Sequence, residues 1–250
     1  MDHGHDHGHV GSHSSQLAHS HTHDYAAANR EFYDKEAQNY DARPDVAAVT
    51  KQITAAMRKA YPDLFDESST TVMDFACGTG MVSRELIPHV KSIIGVDISG
   101  GAVDVYNQRV SELGLTQRMK AVREELKGQE LELDGAKFDL IVCSMAYHHF
   151  GAIDVVTRTL AFFLKPGGSL LVADRKGSGE GEHKSEAEVP EDVRRAVAHL
   201  HGLEEHVMRG VFEGAGLGQF EYRDLGIVGG GVLGKDVRIF ITRGVKPLSR

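Results

Sequence analysis

Two adjacent histidines, His148 and His149, follow an apolar run from Phe138 to Met145 that reads as a buried strand. An imidazole titrates near neutrality, so a pair at a strand exit is a candidate for taking a proton from an acceptor group. A helix-entry pair bonded only to its own turn is the plain alternative. Asp174, ending the run Ser169 to Asp174, is a weaker candidate for the same work. Two further carboxylates stand at strand ends. Asp74 lies near the end of Thr71 to Phe75, and Asp97 terminates Ser92 to Asp97. Between them comes Ala76-Cys77-Gly78-Thr79-Gly80, then Met81 to Ile87, which reads as helix. A strand, a glycine bend and a helix start make a nucleotide-type cradle: glycines let the backbone approach a ligand, and the first helical N–H groups point at it.

The details narrow the ligand. A dinucleotide fingerprint wants a third glycine or alanine three residues after Gly80, and Ser83 stands there. A phosphate loop wants Gly-Lys-Ser/Thr, and no lysine occurs between Lys59 and Lys91. A carboxylate such as Asp74 suits an ammonium or sulfonium group better than a pyrophosphate. Asp97, at the tip of the second strand, can accept both hydroxyls of a ribose. Ser99 reads as the cap of the following helix, which argues against capping as the purpose of Asp97.

From about Phe32 to Gly244 the chain resembles the class I S-adenosylmethionine-dependent methyltransferases. Their first motif, Asp/Glu-x-Gly-x-Gly-x-Gly, appears as Asp74-Phe75-Ala76-Cys77-Gly78-Thr79-Gly80, with Ala76 for the first glycine. The N-terminal text from Phe32 to Asp41 resembles the family's Phe/Tyr-Asp-x-x-Ala-x-x-Tyr-Asp. His148-His149-Phe150 resembles the strand exit of small-molecule members. Leu164-Lys165-Pro166-Gly167-Gly168 is similar to the family's turn before the fifth strand. The Asn/Asp-Pro-Pro-Tyr/Phe exit of members that methylate amino groups of DNA bases or glutamine is absent.

The resemblance implies S-adenosyl-L-methionine as cofactor. Asp74, Ala76, Cys77, Gly78 and Gly80 would hold its methionyl part and Asp97 its ribose. Ile98 and Leu126 would flank adenine, with Glu125 (Glu124 close behind) on the adenine amino group. Ser144 and Met145 would floor the sulfonium. Tyr33 and Tyr40 either close over the ligands or dock their helix on the core. The implied reaction is methyl transfer to a small-molecule acceptor, oxygen ahead of nitrogen, sulfur or carbon, with His148 or His149 as base. The contrasting reading is a non-catalytic cofactor-binding partner in regulation or assembly.

The elements needed to position these groups follow in order. The implied fold is α/β: a Rossmann-like, doubly wound, mostly parallel seven-stranded sheet with an antiparallel last strand and helices on both faces. Asp24 caps a helix to about Tyr40 whose one face carries Asn29, Tyr33, Ala37 and Tyr40. Val46, Val49, Ile53, Met57 and Ala60 stripe a second helix, stopped by Pro62. Pro190 to His206 reads as helix, Arg175 to Glu188 as a loop over the acceptor, and Gly226 to Asp236 as a linker between two late strands. The division expected is residues 1–23 as a disordered tail and 24–250 as one domain, with 24–69 a helical cap on the 70–250 core.

Of the fifteen histidines, eight fall in Met1 to His23, spaced so that a flexible chain could wrap a divalent metal. No metal site is expected within the domain. A net charge of −8 argues against a general nucleic-acid binder. Two cysteines, Cys77 and Cys143, suggest a reducing compartment. With no apolar run of membrane-spanning length, the expected location is cytoplasmic, the nucleus not excluded, with no membrane partner. Composition says nothing of oligomeric state.

Overall fold

The computed structural model describes residues 23–177, 189–232 and 235–248. The expected tail, most of the expected acceptor loop and their metal or lid roles lie outside the described residues. Seven strands form one sheet: β1 Thr71–Phe75, β2 Ser92–Asp97, β3 Met119–Arg123, β4 Phe138–Ser144, β5 Leu164–Arg175, β6 Gly218–Val232 and β7 Lys235–Val245. Their order across the sheet is β3-β2-β1-β4-β5-β7-β6. β1 to β5 pair in parallel, and β7 runs antiparallel to both its neighbours. The strand order reverses between β1 and β4, and that is where a doubly wound sheet opens a crevice at its carboxyl edge.

Alternation along the strands gives each face its own core. Val72, Leu140, Val142, Leu171 and Ile241 point to one side, against Ile53, Met57, Leu86 and Tyr106. Met73, Ile141, Cys143, Val172 and Phe240 point to the other, against Leu160, Phe163, Met208 and Phe212. The first layer is built by helices α2 Pro44–Ala60, α3 Met81–Leu86 and α4 Gly100–Glu112, the second by α5 Ile153–Phe163 and α7 Glu205–Gly214. Helix α1, Tyr25–Tyr40, buries little of itself and crosses α4 instead. Its cap is the expected one, Asp24 accepting from Ala27 N–H at 2.9 Å.

Two expectations fail for tertiary reasons. The helix expected from Pro190 to His206 is only α6, Glu191–Ala196, after which Val197 is extended. His199 is drawn to the histidine turn instead: its N–H donates to His148 O at 2.9 Å, and its Nε2 lies 3.0 Å from Phe150 O. Leu203 N–H donates to Arg175 O at 2.9 Å, with Gly202 at φ +82° making the bend. The glycine-rich stretch from Gly226 to Asp236 is not a linker. β6 and β7 run through it, pairing Ile227 with Arg238, Val228 with Val237 and Val232 with Lys235. Ladder hydrogen bonds override the weak strand preference of glycine there.

Candidate functional site

The glycine bend leaves β1 through two left-handed residues, Ala76 at φ +55° and Gly78 at φ +52°, and enters α3 at Gly80, φ +84°. A Cβ on Gly80 would meet the Tyr106 ring at 2.4 Å, whereas one on Gly78 would meet nothing within 4 Å. Gly80 is therefore required by packing. Over Gly78 there is room for a ligand to lie against the backbone. Ala76 pays a left-handed strain that a glycine would not.

Asp97 faces this bend from the tip of β2. Its Oδ2 accepts from Gly78 N–H at 2.8 Å and its Oδ1 from Ser99 N–H at 2.9 Å. It thus assists at the start of α4 as well, while Ser99 Oγ caps Ala102 N–H at 3.1 Å. Burial pushes the Asp97 carboxyl up against those two stabilising bonds. Asp74 sits deeper. It is 2% exposed, and its Oδ2 accepts from Ser83 Oγ at 2.6 Å. Burial, with some repulsion from Asp97, raises it to about 7. Ser83, which spoils the dinucleotide fingerprint, is thus the partner of the motif's carboxylate, and Asp74 supports the bend from beneath. Cys77 is buried behind it, its thiol pushed well up by burial.

The N-terminal segment clamps the bend. Asp41 accepts from Thr79 Oγ1 and, at 2.5 Å, from Arg84 Nη2, and also pairs with Arg109. Asp34 Oδ1 accepts from Ser99 Oγ at 2.7 Å and Gly101 N–H at 3.0 Å. Tyr33 is thereby held over the strand tips. Its ring meets Tyr40 at 5.6 Å and His149 at 6.2 Å, both edge-on. Burial first, then Tyr40 and the charge on Asp97, hold its hydroxyl well above the usual range.

Glu125 is about half exposed and pairs with Lys127 and with Arg30 of α1 at 3.7 Å. Leu126 is buried, Ile98 half-buried, and Glu124 N–H donates to Asp97 O at 3.0 Å. Ser144 ends β4, and Met145, at φ +55°, donates its N–H to Ala173 O at 2.8 Å. That strained turn aims the next residues across the strand tips.

His148 and His149 stand 4.1 Å apart, ring centroid to centroid. His148 Nδ1 lies 2.7 Å from Asp174 Oδ1, and its backbone N–H donates to Oδ2 at 3.1 Å. Asp174 is fully buried. Burial pushes its carboxyl up, but the charge and hydrogen bonds of His148, with the Arg175 N–H at 2.6 Å, win and hold it below the usual range. His149 Nδ1 lies 2.6 Å from Ala196 O. A carbonyl only accepts, so Nδ1 carries the hydrogen and Nε2 keeps its lone pair. Burial, then His148, lowers His149 to about 4, so the ring is neutral at pH 7. Both imidazoles therefore spend Nδ1 on the protein. Neither Nε2 has a hydrogen-bond partner among the described residues.

Sequence reasoning missed Asn29, Asp34, Asp41 and the Ala196 carbonyl. The Asn29-Tyr33-Tyr40 face of α1 was the available signal for the first. The others depend on which distant segment the fold brings alongside.

Residues 72–168 match the family model described as a methyltransferase domain. This is a class I methyltransferase domain. An uncharacterized methyltransferase of Schizosaccharomyces pombe is 34% identical over 163 residues, 64% of this chain and 57% of that one. A ubiquinone biosynthesis O-methyltransferase of Coxiella burnetii is 29% identical over 100 residues, 40% of this chain and 41% of that one. The chain thus spans about half the length of the curated relatives it matches. Among solved structures, Haemonchus contortus phosphoethanolamine N-methyltransferase 2 with S-adenosyl-L-methionine superposes with a TM-score of 0.62 at 17% identity, covering 78% of this chain and 52% of that one. The [4+2]-cyclase SpnF superposes at 0.61 with 16% identity, covering 80% and 81%. At such identities the likeness is one of fold, and it spans different chemistries. No helix among the described residues of this methyltransferase is long and apolar enough to cross a membrane.

Proposed function

We propose that the chain moves a methyl group from S-adenosyl-L-methionine to a small-molecule acceptor, at oxygen ahead of nitrogen, sulfur or carbon. One arrangement carries this reading: a glycine bend open over Gly78 beside the Asp97 carboxylate, and two imidazoles with open Nε2 atoms across Tyr33 from it. Gly78, Gly80 and Ala76 suit the methionyl part, and Asp97 suits the ribose by exchanging its present backbone donors for hydroxyls. Asp74 and Cys77 act from behind, shaping the bend. Ile98 and Leu126 supply apolar flanks for adenine, Glu125 an acceptor at its edge once freed from Arg30, and Ser144 and Met145 the floor. Helices α1 and α2, within 24–69, serve as a cap on the 70–250 core.

Bound there, the cofactor supplies a methyl group on positive sulfur, which leaves with the electron pair of the broken carbon–sulfur bond. The protein aligns the acceptor and excludes water, which can contribute about 7–11 kcal/mol. His148 is the better base of the two. Asp174 fixes its ring and stabilises the imidazolium formed when Nε2 takes the acceptor's proton. His149, lowered to about 4, is a weak base and serves as a fixed hydrogen-bond acceptor. Imidazoles held this way favour turnover over cofactor binding alone.

Calorimetry with S-adenosylhomocysteine tests the first half. Transfer from labelled cofactor into the small-molecule fraction of a cell extract, with mass identification of the product, tests the second. A folded protein with no affinity for the nucleoside product would end this reading.

A further inference from the structure

Asn29, on α1, is 8% exposed, and its side chain is half satisfied. Nδ2 donates to Tyr25 O at 2.7 Å and to Ala196 O at 2.9 Å. Two carbonyl partners fix which end of the amide is nitrogen. Oδ1 is then the opposite end, and it is buried with no hydrogen-bond partner. A buried amide oxygen without a donor costs about 1–3 kcal/mol, so such an atom calls for a reason. Its surroundings supply one. The Ala196 carbonyl that anchors Asn29 is the same oxygen that holds His149 Nδ1 at 2.6 Å. One carbonyl thus lies between the amide and the imidazole. Tyr33, one helical turn after Asn29 on the same face, touches His149 edge-on.

The polar atoms left over here are all acceptors: Asn29 Oδ1, His149 Nε2 and His148 Nε2. The nearest cation, Arg175, spends Nη2 on His199 O and Leu200 O. The remaining walls are aromatic, with Tyr33 against Tyr40 and Phe150 against Phe75 and Tyr147. An anionic acceptor would meet lone pairs. A planar ring bearing hydroxyl hydrogens would meet partners on every side.

We propose that Asn29 Oδ1, with His149, binds a second donor group of the methyl acceptor, and that the acceptor is an aromatic ring with a hydroxyl or amino group beside the methylated hydroxyl and no anionic group there. This rests on the methyltransferase reading above.

The test is binding of three probes of similar shape to the full chain saturated with S-adenosylhomocysteine, followed through the histidine ring nitrogens by NMR. The probes are 1,2-dihydroxybenzene, 2-methoxyphenol and 2-hydroxybenzoate. The dihydroxy probe should bind at least tenfold more tightly than the methoxy probe, and the benzoate should bind weakest. In Asn29→Leu that preference should fall below threefold, with S-adenosylhomocysteine affinity unchanged within twofold. A purely structural Asn29 would lower cofactor-product affinity and the melting temperature without changing the ratio between probes. If the preference persists in Asn29→Leu, Oδ1 holds only a water and the proposal is wrong. If the unaltered protein fails to prefer the dihydroxy probe, the acceptor class is wrong, and this arm needs no variant. Failure to bind S-adenosylhomocysteine at all would instead overturn the reading beneath it.

Discussion

Asp97 and Asp174 occupy equivalent places, each a carboxylate at the tip of a parallel strand, and their environments push them in opposite directions. At β2 the partners of Asp97 are two backbone N–H groups from its own neighbourhood, Gly78 and Ser99, and burial wins: the carboxyl is raised. At β5 the partners of Asp174 include an imidazole as well as two backbone N–H groups, and the carboxyl is lowered despite complete burial. Backbone donors alone leave a desolvated charge costly, whereas an ionisable partner makes the charged form the stable one. The first arrangement is a binding device that can trade its donors for a ligand's hydroxyls. The second is a fixed pair suited to receiving a proton.

The sharpest way to break this contrast is Asp174→Asn. It should lower methyl transfer by about a hundredfold, the lower end of what general base catalysis contributes, with S-adenosylhomocysteine affinity within threefold of the unaltered protein. Equal losses in both would place Asp174 in the scaffold. Asp97→Ala should do the reverse, weakening S-adenosylhomocysteine by about 1–3 kcal/mol in calorimetry.

A third test concerns pH. Asp74, raised to about 7, releases its proton in the unfolded chain from about pH 4 upward but keeps it longer when folded. Its contribution is therefore present at low pH and lost as pH rises through 7. Asp74→Asn should flatten the fall in melting temperature between pH 6 and 8; an unchanged slope would refute the raised carboxyl. His149 works in the opposite sense. Lowered to about 4, it contributes stability at neutral pH that is lost as pH falls from about 6.5 towards 4. His149→Gln should reduce the pH dependence of unfolding in that window. The smallest effect belongs to Ala76→Gly, which relieves a left-handed alanine and should stabilise by up to about 1 kcal/mol in denaturant unfolding, without altering ligand affinity.

The two ends of the site also differ in how far they could be read beforehand. The glycine bend, Asp74, Asp97 and the first four strands are local features. Each is set by a short stretch in which apolar runs, glycines and caps agree, and the observed strand bounds match that stretch closely. The acceptor end could be named but not assembled. His148 and His149 stood out by type, yet their tautomers are set by Asp174, 26 residues on, and by the Ala196 carbonyl, 47 residues on. The helix expected through His206 stops at Ala196 because His199 finds better partners in the histidine turn.

The amino-acid sequence by itself determined the sheet, its winding and the nucleoside-type cradle, because those follow from periodicity and backbone freedom over a few residues at a time. Only the tertiary structure decided which nitrogen of each histidine is free, which carboxylate keeps its charge and which amide oxygen is left waiting for a donor. Those properties depend on burial and on hydrogen bonds between segments far apart in the chain, and no local pattern encodes them.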